Sequence, residues 1–274
     1  MTDSAASSDF LPLSSEWRRH ELSSAGVAAL VTIIVLAAFV FADAFDLARY
    51  TGTATTLLRL AAESWPPDFS RRRAWGRPLL ETLAMGVAGT ALGAALALPL
   101  AALAAENVGP SIRLGQLVRL GLNALRSLPG LIWGVVFVAA VGFGSLPGVL
   151  ALGAHSTGML GKLFFEAMEH VDPAPGAALR ANGVSKLGVF RFAILPQALP
   201  RLVDAAIYRL EHNLRAATTL GLVGAGGLGL EIVTAFHLFE YREASALILI
   251  LLALVTAVNA IGAAMRRSFL SREE

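Results

Sequence analysis

Long apolar runs alternate with short polar connections along this chain. A helix that crosses a bilayer needs about 20 mostly apolar residues. Runs of that order lie near 25–42, 79–105, 117–143, 146–165, 197–220 and 244–265. The sixth is the cleanest and the fifth is unusually polar for a span, while the third carries Asn123 and Arg126 in its first half. The pattern predicts an all-α, polytopic membrane protein with about six transmembrane helices. Gly86, Gly89 and Gly93 recur at three- or four-residue spacing, which lets helices approach closely in lipid. Simple packing is the preferred reading of that recurrence. Between the first two runs, residues 54–64 place apolar side chains at helical spacing, with Trp65 and Trp75 nearby. This reads as a helix lying in the interface plane, with an ordinary loop containing a partial helix as the alternative.

Composition supports the bilayer. Of 274 residues, 55% are hydrophobic and 15% charged, against about 45–50% and about 25% in soluble globular chains. The formal charge is only +2, and the arginines sit at segment ends instead of on one face, so no nucleic-acid partner is expected. There is no cysteine, which excludes disulfides and thiolate metal sites. No metal site and no cofactor are expected.

Residues 1–24 read as a flexible N-terminal tail, and residues 25–274 as a single transmembrane domain with core helices at about 79–265. The tail begins rich in Ser, Ala and Asp and ends near Trp17-Arg18-Arg19-His20. Ala42-Asp43-Ala44 imitates a signal cleavage site. The apolar run before it is longer than the usual signal core of about 7–15 residues, which favours an uncleaved span. Six spans put both termini on one side. With the N-terminus inside, Arg18, Arg19, Arg113, Arg119, Lys162, Arg180, Lys186, Arg191, Arg266, Arg267 and Arg272 are cytoplasmic. The balance favours that orientation under the positive-inside rule, although the Arg71-Arg72-Arg73 cluster votes the other way.

Two fragments imitate nucleotide sites. Gly224-Ala225-Gly226-Gly227-Leu228-Gly229 matches a dinucleotide fingerprint, but that motif needs a preceding strand and a βαβ unit. Here it joins two spans, and it reads as a flexible turn outside the bilayer. Gly158-Met159-Leu160-Gly161-Lys162-Leu163 has Ser156 at the position of the first P-loop glycine, and Leu163 where Ser or Thr should bind magnesium. No catalytic constellation of Ser, His and Asp suggests itself, so no catalytic residues are expected.

The most informative polar stretch is 172–196, between the fourth and fifth runs. Ala177 to Asn182 favours a short helix, Gly183 breaks it, and a second amphipathic turn leads to Pro196. Such a helix–turn–helix outside the membrane can insert into a groove on a soluble partner. A plain connecting loop is the alternative on the residues alone.

This segment resembles the cytoplasmic coupling loop of binding-protein-dependent ABC permeases. In that family Glu-Ala-Ala is followed by three residues, Gly, nine residues, Ile, one residue and Leu-Pro. Ala178, Gly183, Leu195 and Pro196 fit; Ala177 replaces the acidic residue, Leu179 the second alanine, and Ala193 stands where Ile is expected, with Ile194 beside it. Other stretches look like the phosphonate-type subfamily. They are Pro66-Pro67-Asp68-Phe69, Leu125-Arg126-Ser127-Leu128-Pro129-Gly130-Leu131-Ile132-Trp133, His155-Ser156-Thr157-Gly158-Met159-Leu160-Gly161-Lys162, and Tyr208-Arg209-Leu210-Glu211-His212-Asn213-Leu214-Arg215-Ala216. The resemblance covers roughly residues 65–265. It implies the permease of a type I importer in the bacterial inner membrane, with both termini and the coupling loop cytoplasmic. The implied coupling residues are Ala177, Ala178, Arg180, Gly183, Lys186, Leu195 and Pro196. The implied partners are a second permease copy or homologue, two cytoplasmic ATP-binding subunits that hydrolyse the ATP, a periplasmic substrate-binding protein and membrane lipid. The implied cargo is a phosphonate or a related phosphorus oxyanion (phosphite, hypophosphite or phosphate), with another small solute such as an amino acid as the alternative.

Ionisable groups at bilayer depth cost roughly 2.5–3.5 kcal/mol on insertion scales and need a partner or water. Arg126, His155 and His212 are candidates to line a pathway for an anion, against a purely structural role. Glu211 and Arg215, spaced i, i+4, are expected to pair on one helix face. Two rival classes complete the set. An intramembrane enzyme using His155 and Glu211 lacks acid–base or metal geometry, and an ion-coupled secondary transporter predicts internal repeats and broken helices at matching positions, which the sequence does not display.

Overall fold

The computed structural model describes the backbone of residues 11–270 and the side chains of residues 26–267. Every regular element among the described residues is helical.

The first unit comprises residues 1–62 and holds α1 (Leu11–Phe41), α2 (Leu47–Tyr50) and most of α3 (Thr53–Glu63). The tail expected over 1–24 is thus helical in its backbone from Leu11 onward, and residues 1–10 lie outside the described residues. In the apolar part of α1, Val27, Ile33, Ile34 and Phe39 are exposed, which suits a helix whose solvent is lipid. Arg49 closes the turn after α1 by pairing with Asp43 at 2.7 Å and Asp46 at 3.3 Å. Helix α3 forms over the amphipathic stretch that the spacing predicts.

The second unit, residues 63–274, contains α4 (Gly76–Ala104), α5 (Ile112–Ser127), α6 (Gly130–Val141), α7 (Ser145–Glu169), α8 (Pro173–Ala181), α9 (Lys186–Val189), a π-helical turn (Phe190–Ile194), α10 (Leu195–Gly221), α11 (Gly227–His237) and α12 (Tyr241–Leu270). Helices α4 and α12 are each long and apolar enough to cross a membrane. Helices α7 and α10, of 25 and 27 residues, have the length but carry polar faces.

The third predicted span is not one helix. It is the pair α5–α6, bent by 87°. Leu128 is extended (φ −83°, ψ 127°) because the ring of Pro129 disfavours the helical region for the residue before it, and Pro129 has no N–H to continue the ladder. Trp133 Nε1 donates to Leu125 O at 3.1 Å, satisfying one carbonyl that the elbow frees.

The core forms where α4 lies against α7. A Cβ added at Gly89 would sit 2.6 Å from Leu152 Cβ, one at Gly93 2.5 Å from Ser156 Cβ, and one at Gly153 2.6 Å from Leu92 Cδ2. The glycine recurrence is therefore packing, as preferred from the spacing. Helix α10 packs against both, placing its middle beside the centre of α7.

The glycine-rich segment 224–229 departs from expectation. Ala225 and residues 226–229 are buried, and Gly226 and Gly227 take φ of +82° and +69°. The N–H of Gly227 reaches Glu81 Oε2 at 3.3 Å, and that of Leu228 reaches Thr82 Oγ1 at 2.9 Å. A flexible turn is thus replaced by a pinned one that leads into α11, a helix the hydropathy pattern does not separate from its neighbours. At the same end Arg71 pairs with Glu243 (3.0 and 3.1 Å), Trp75 Nε1 donates to Glu243 at 3.3 Å and Arg242 donates to Pro66 O at 2.8 Å. These bonds tie Pro66-Pro67-Asp68-Phe69 to the start of α12. The Asp68 carboxyl there is held below its usual range, chiefly by the Ser70 backbone N–H. At the opposite end Arg119 donates to Ala104 O at 3.0 and 2.9 Å, pairs with Glu169 and lies 4.6 Å over the Phe165 ring.

Candidate functional site

Two regions carry most of the residues singled out by sequence. The first is the segment 172–196. Asp172 caps α8 by accepting from Ala174 N–H at 2.9 Å, with Pro173 in the first turn where no N–H is needed. The helix ends in a Schellman turn. Gly183 N–H donates to Arg180 O at 3.0 Å and Val184 N–H to Leu179 O at 3.1 Å, with Gly183 at φ +76°. Leu179, Val184 and Leu195 pack against the core while Val189, Ala193 and Ile194 are buried in it. Ala193, at the position where the family pattern has Ile, and its neighbour Ile194 are thus both buried. Gln197 locks the base, accepting from Asp172 N–H at 3.1 Å and donating to Ala193 O at 2.7 Å. Ala177, Ala178, Arg180, Gly183, Lys186 and Pro196 are all exposed. Beside them Leu187 and Phe192 are 74% and 68% exposed, an apolar pair on a basic surface that suits a protein partner.

The second region is a recess of about 310 Å³ lined by Gly130, Leu131, His155, Arg209, His212 and Arg215, with Leu152, Ala216, Thr219 and Leu220 completing the wall. His155 lies ten residues into α7 and fourteen from its end, about 15 Å and about 21 Å along the axis. The recess is therefore near the middle of the helices. Positions 209, 212, 213 and 216 of α10 share one face at helical spacing.

Beneath the recess lies a buried polar network. Arg209, only 3% exposed, donates from Nε to Ser156 Oγ at 2.9 Å. Asn213 Nδ2 donates to Ser156 Oγ at 2.8 Å and to Thr90 Oγ1 at 2.9 Å. Thr90 gives its proton to Gly86 O at 2.7 Å, so toward Asn213 it acts only as acceptor, which fixes the orientation of the Asn213 amide. Three buried atoms in this region, Arg209 Nη2, Asn213 Oδ1 and His155 Nδ1, have no hydrogen-bond partner within the chain.

The structure places His155 and His212 on one recess, together with Arg209 and Arg215. It does not bring in Arg126, whose Nε donates to Asn123 Oδ1 at 3.0 Å along the surface of α5. The expected Glu211–Arg215 pair is also replaced. Glu211 meets Arg266 of α12 at 2.7 Å, because the α10 surface turns Glu211 toward Gly262 and leaves Arg215 on the recess wall. Sequence reasoning misses Arg209, although the rule that selects His212, an ionisable group at the centre of a span, covers it equally. Among the described residues no carboxylate lies within 4.0 Å of Arg209 or Arg215. Four potentially cationic groups thus line one recess without an acid, which favours an anion or water there over a cation.

Residues 97–273 match the family described as the binding-protein-dependent transport system inner membrane component. The chain belongs to this family. It is a permease subunit of a transporter and not an enzyme. The permease is 45% identical to the phosphite transport system permease protein PtxC of Stutzerimonas stutzeri, over 95% of this chain and 98% of that one. It is 38% identical to the phosphate-import permease protein PhnE of Mycolicibacterium smegmatis over 75% of this chain, where it spans 38% of that longer protein. Among solved structures, the permease fold is similar to the inward-facing MetNI methionine ABC transporter, with a TM-score of 0.62 at 24% identity over 71% of this chain and 95% of that one.

Proposed function

We propose that this permease carries a small phosphorus oxyanion (phosphite, phosphonate, hypophosphite or phosphate) inward across the bacterial inner membrane, driven by ATP hydrolysed on partner subunits. The observation that carries this reading is the acid-free recess of Arg209, Arg215, His155 and His212 midway along α7 and α10. Groups of this kind are costly at bilayer depth and are retained where ions pass or bind. Arginine also suits the oxygens of phosphorus anions. The relative at 45% identity is a phosphite permease, which supports the same cargo class.

In this reading the chain spans six times, with α5–α6 as one broken span and both termini cytoplasmic. The segment 172–196 is the coupling element, docking Ala177, Ala178, Arg180, Gly183, Lys186, Leu195 and Pro196, with Leu187 and Phe192, at a groove of the ATPase subunit. His212 and Arg215 are exposed on α10 within this chain, so they face a water-filled path shared with a second permease copy or a homologue. A periplasmic binding protein delivers the anion at the opposite end. Arg71 votes less against this orientation than its charge suggests, since Glu243 neutralises it.

Import of a small amino acid is the second reading, favoured by the fold shared with a methionine transporter. Reconstituting the permease with its ATPase and binding protein and offering labelled phosphite and labelled methionine decides between them. ATP-dependent accumulation of phosphite alone is expected; accumulation of methionine alone overturns the oxyanion reading.

A further inference from the structure

Another recess, of about 490 Å³, lies between α7 and α10 on the side of the segment 172–196. Leu163, Glu166 and His170 of α7 line it with Arg201, Asp204 and Tyr208 of α10. Helix α10 begins at Leu195. From there Arg201 and Asp204 lie about 9 Å and about 14 Å along the axis, whereas Arg209 of the middle recess lies about 21 Å along it. The second recess thus separates the first from that segment. Unlike the first, it contains carboxylates. Glu166 is paired with Lys162 at 3.4 Å, and His170 Nδ1 lies 2.7 Å from Glu166 O. Arg201 and Asp204 are left over. They are spaced i, i+3, close enough to pair on one helix. Yet among the described residues neither makes an ion pair, and Asp204 Oδ1 is buried without a hydrogen-bond partner.

Arg201, Asp204, Tyr208, His212, Arg215 and Thr219 also share one face of α10 at helical spacing, and all but Asp204 are exposed within this chain. Lipid does not cover such a stripe, because hydrocarbon offers its polar groups no partners. A second copy of the chain suits the two unpaired charges. Copies inserted with the same orientation are related by a two-fold axis along the membrane normal, which keeps equal residues at equal depth. Each Arg201 then needs a carboxylate near its own level. Asp204 of the other copy differs in depth by three residues, about 4.5 Å, within the reach of an arginine side chain.

We infer that two copies of this chain meet along this stripe, with Arg201 of each paired to Asp204 of the other, and that these pairs close the path between the middle recess and the segment 172–196. The inference rests on the reading of that segment as the coupling element and of the path as shared, and it deepens that reading by making the second permease an identical copy. Because Arg201 stands so near the segment, drawing the two segments together draws the pairs together. Paired, the four groups leave no free charge for a passing anion. Separated, they reopen the exit.

The test is charge complementation between copies. Arg201→Asp makes one copy acidic at both positions, and Asp204→Arg makes another basic at both. Two copies of either variant set like charges against each other, so each variant alone should lower ATP-driven phosphite uptake by at least about tenfold. Co-expressed under different tags and purified as the mixed complex with the ATPase, the two variants oppose acid to base at both contacts. Uptake should then return to within about threefold of the parent. Pairing within one chain predicts no such rescue, because neither variant can form it. The chain has no cysteine, so one copy with Arg201→Cys and one with Asp204→Cys report the contact without any transport. A short bifunctional thiol reagent should join them, and more so with a non-hydrolysable ATP analogue bound than without. Failure of rescue in a mixed complex recovered intact overturns the inference, as does a cross-link that is absent or indifferent to nucleotide. Recovery of only one tag in each assembly overturns the identical copy and leaves the permease reading standing. Failure of phosphite uptake by the parent complex removes the cargo assignment instead, while the cross-link still decides the contact.

Discussion

At the scale of single residues, Gly183 and the recess arginines make opposite kinds of demand. Gly183 is exposed, and a Cβ added there would meet no atom within 4 Å, so its requirement is conformational. A β-branched residue at φ +76° costs on the order of 1–3 kcal/mol, whereas Asn tolerates this region better. Gly183→Val should therefore insert at normal levels yet lose most ATP-driven uptake, with Gly183→Asn closer to the parent. Full uptake by Gly183→Val at equal expression would contradict a coupling role for this turn. In the recess the demand is charge. Arg215→Glu places a carboxylate on the wall and should lower oxyanion uptake by at least about tenfold, the scale at which one like-charge contact of a few kcal/mol acts. Arg126→Glu, at a side chain that does not line the recess, should stay within about twofold. If the two variants reverse that order, the pathway runs along α5 instead. The sequence makes His155 and His212 legible because ionisable residues are rare in apolar runs. It hides the Glu211–Arg266 pair, since the i, i+4 neighbour Arg215 is an equally good partner on one helix and only tertiary packing chooses between them.

At the scale of elements, periodicity and length recover α4, α7, α10 and α12 closely, because each is a single uninterrupted helix. They fail at α5–α6, where hydropathy averages over Leu128-Pro129 and reads one span through an 87° bend. The signal was present in the proline and in the constraint it puts on Leu128. The same averaging hides α11 behind the glycines that precede it. The pairing of α10 with α12 through Glu211 and Arg266 yields a check on these contacts. Glu211→Gln leaves Arg266 without its partner and should lower stability by about 1–3 kcal/mol, read as a lower melting temperature of the purified complex. Adding Arg266→Gln should recover part of that loss. Gly93→Val tests the closer contact of α4 with α7. Overpacking there should cost about 1–3 kcal/mol, and an unchanged melting temperature would mean that the two helices are not apposed at Gly93 and Ser156.

At the scale of the whole molecule, the bundle separates three tasks along its length. One end is tied by Arg71, Trp75, Arg242 and Glu243, the middle holds the acid-free recess, and the other end presents the segment 172–196 on a frame braced by Arg119 and Gln197. In the proposed reading, closure of ATPase subunits on that segment would reach the recess through α7 and α10, which flank it on both sides. The bent pair α5–α6 meets the recess at Gly130 and Leu131, so a change of its bend alters the wall directly. On the proposed function, this movement carries a phosphorus oxyanion. The most direct test is uptake of radiolabelled phosphite by proteoliposomes containing the permease, its ATPase and its binding protein, with ATP supplied on the side of the ATPase. Accumulation should require ATP and be abolished by Arg215→Glu in correctly assembled complex. Accumulation without ATPase or ATP, or ATP-driven uptake of a cation or neutral amino acid with no phosphite entering, would contradict it.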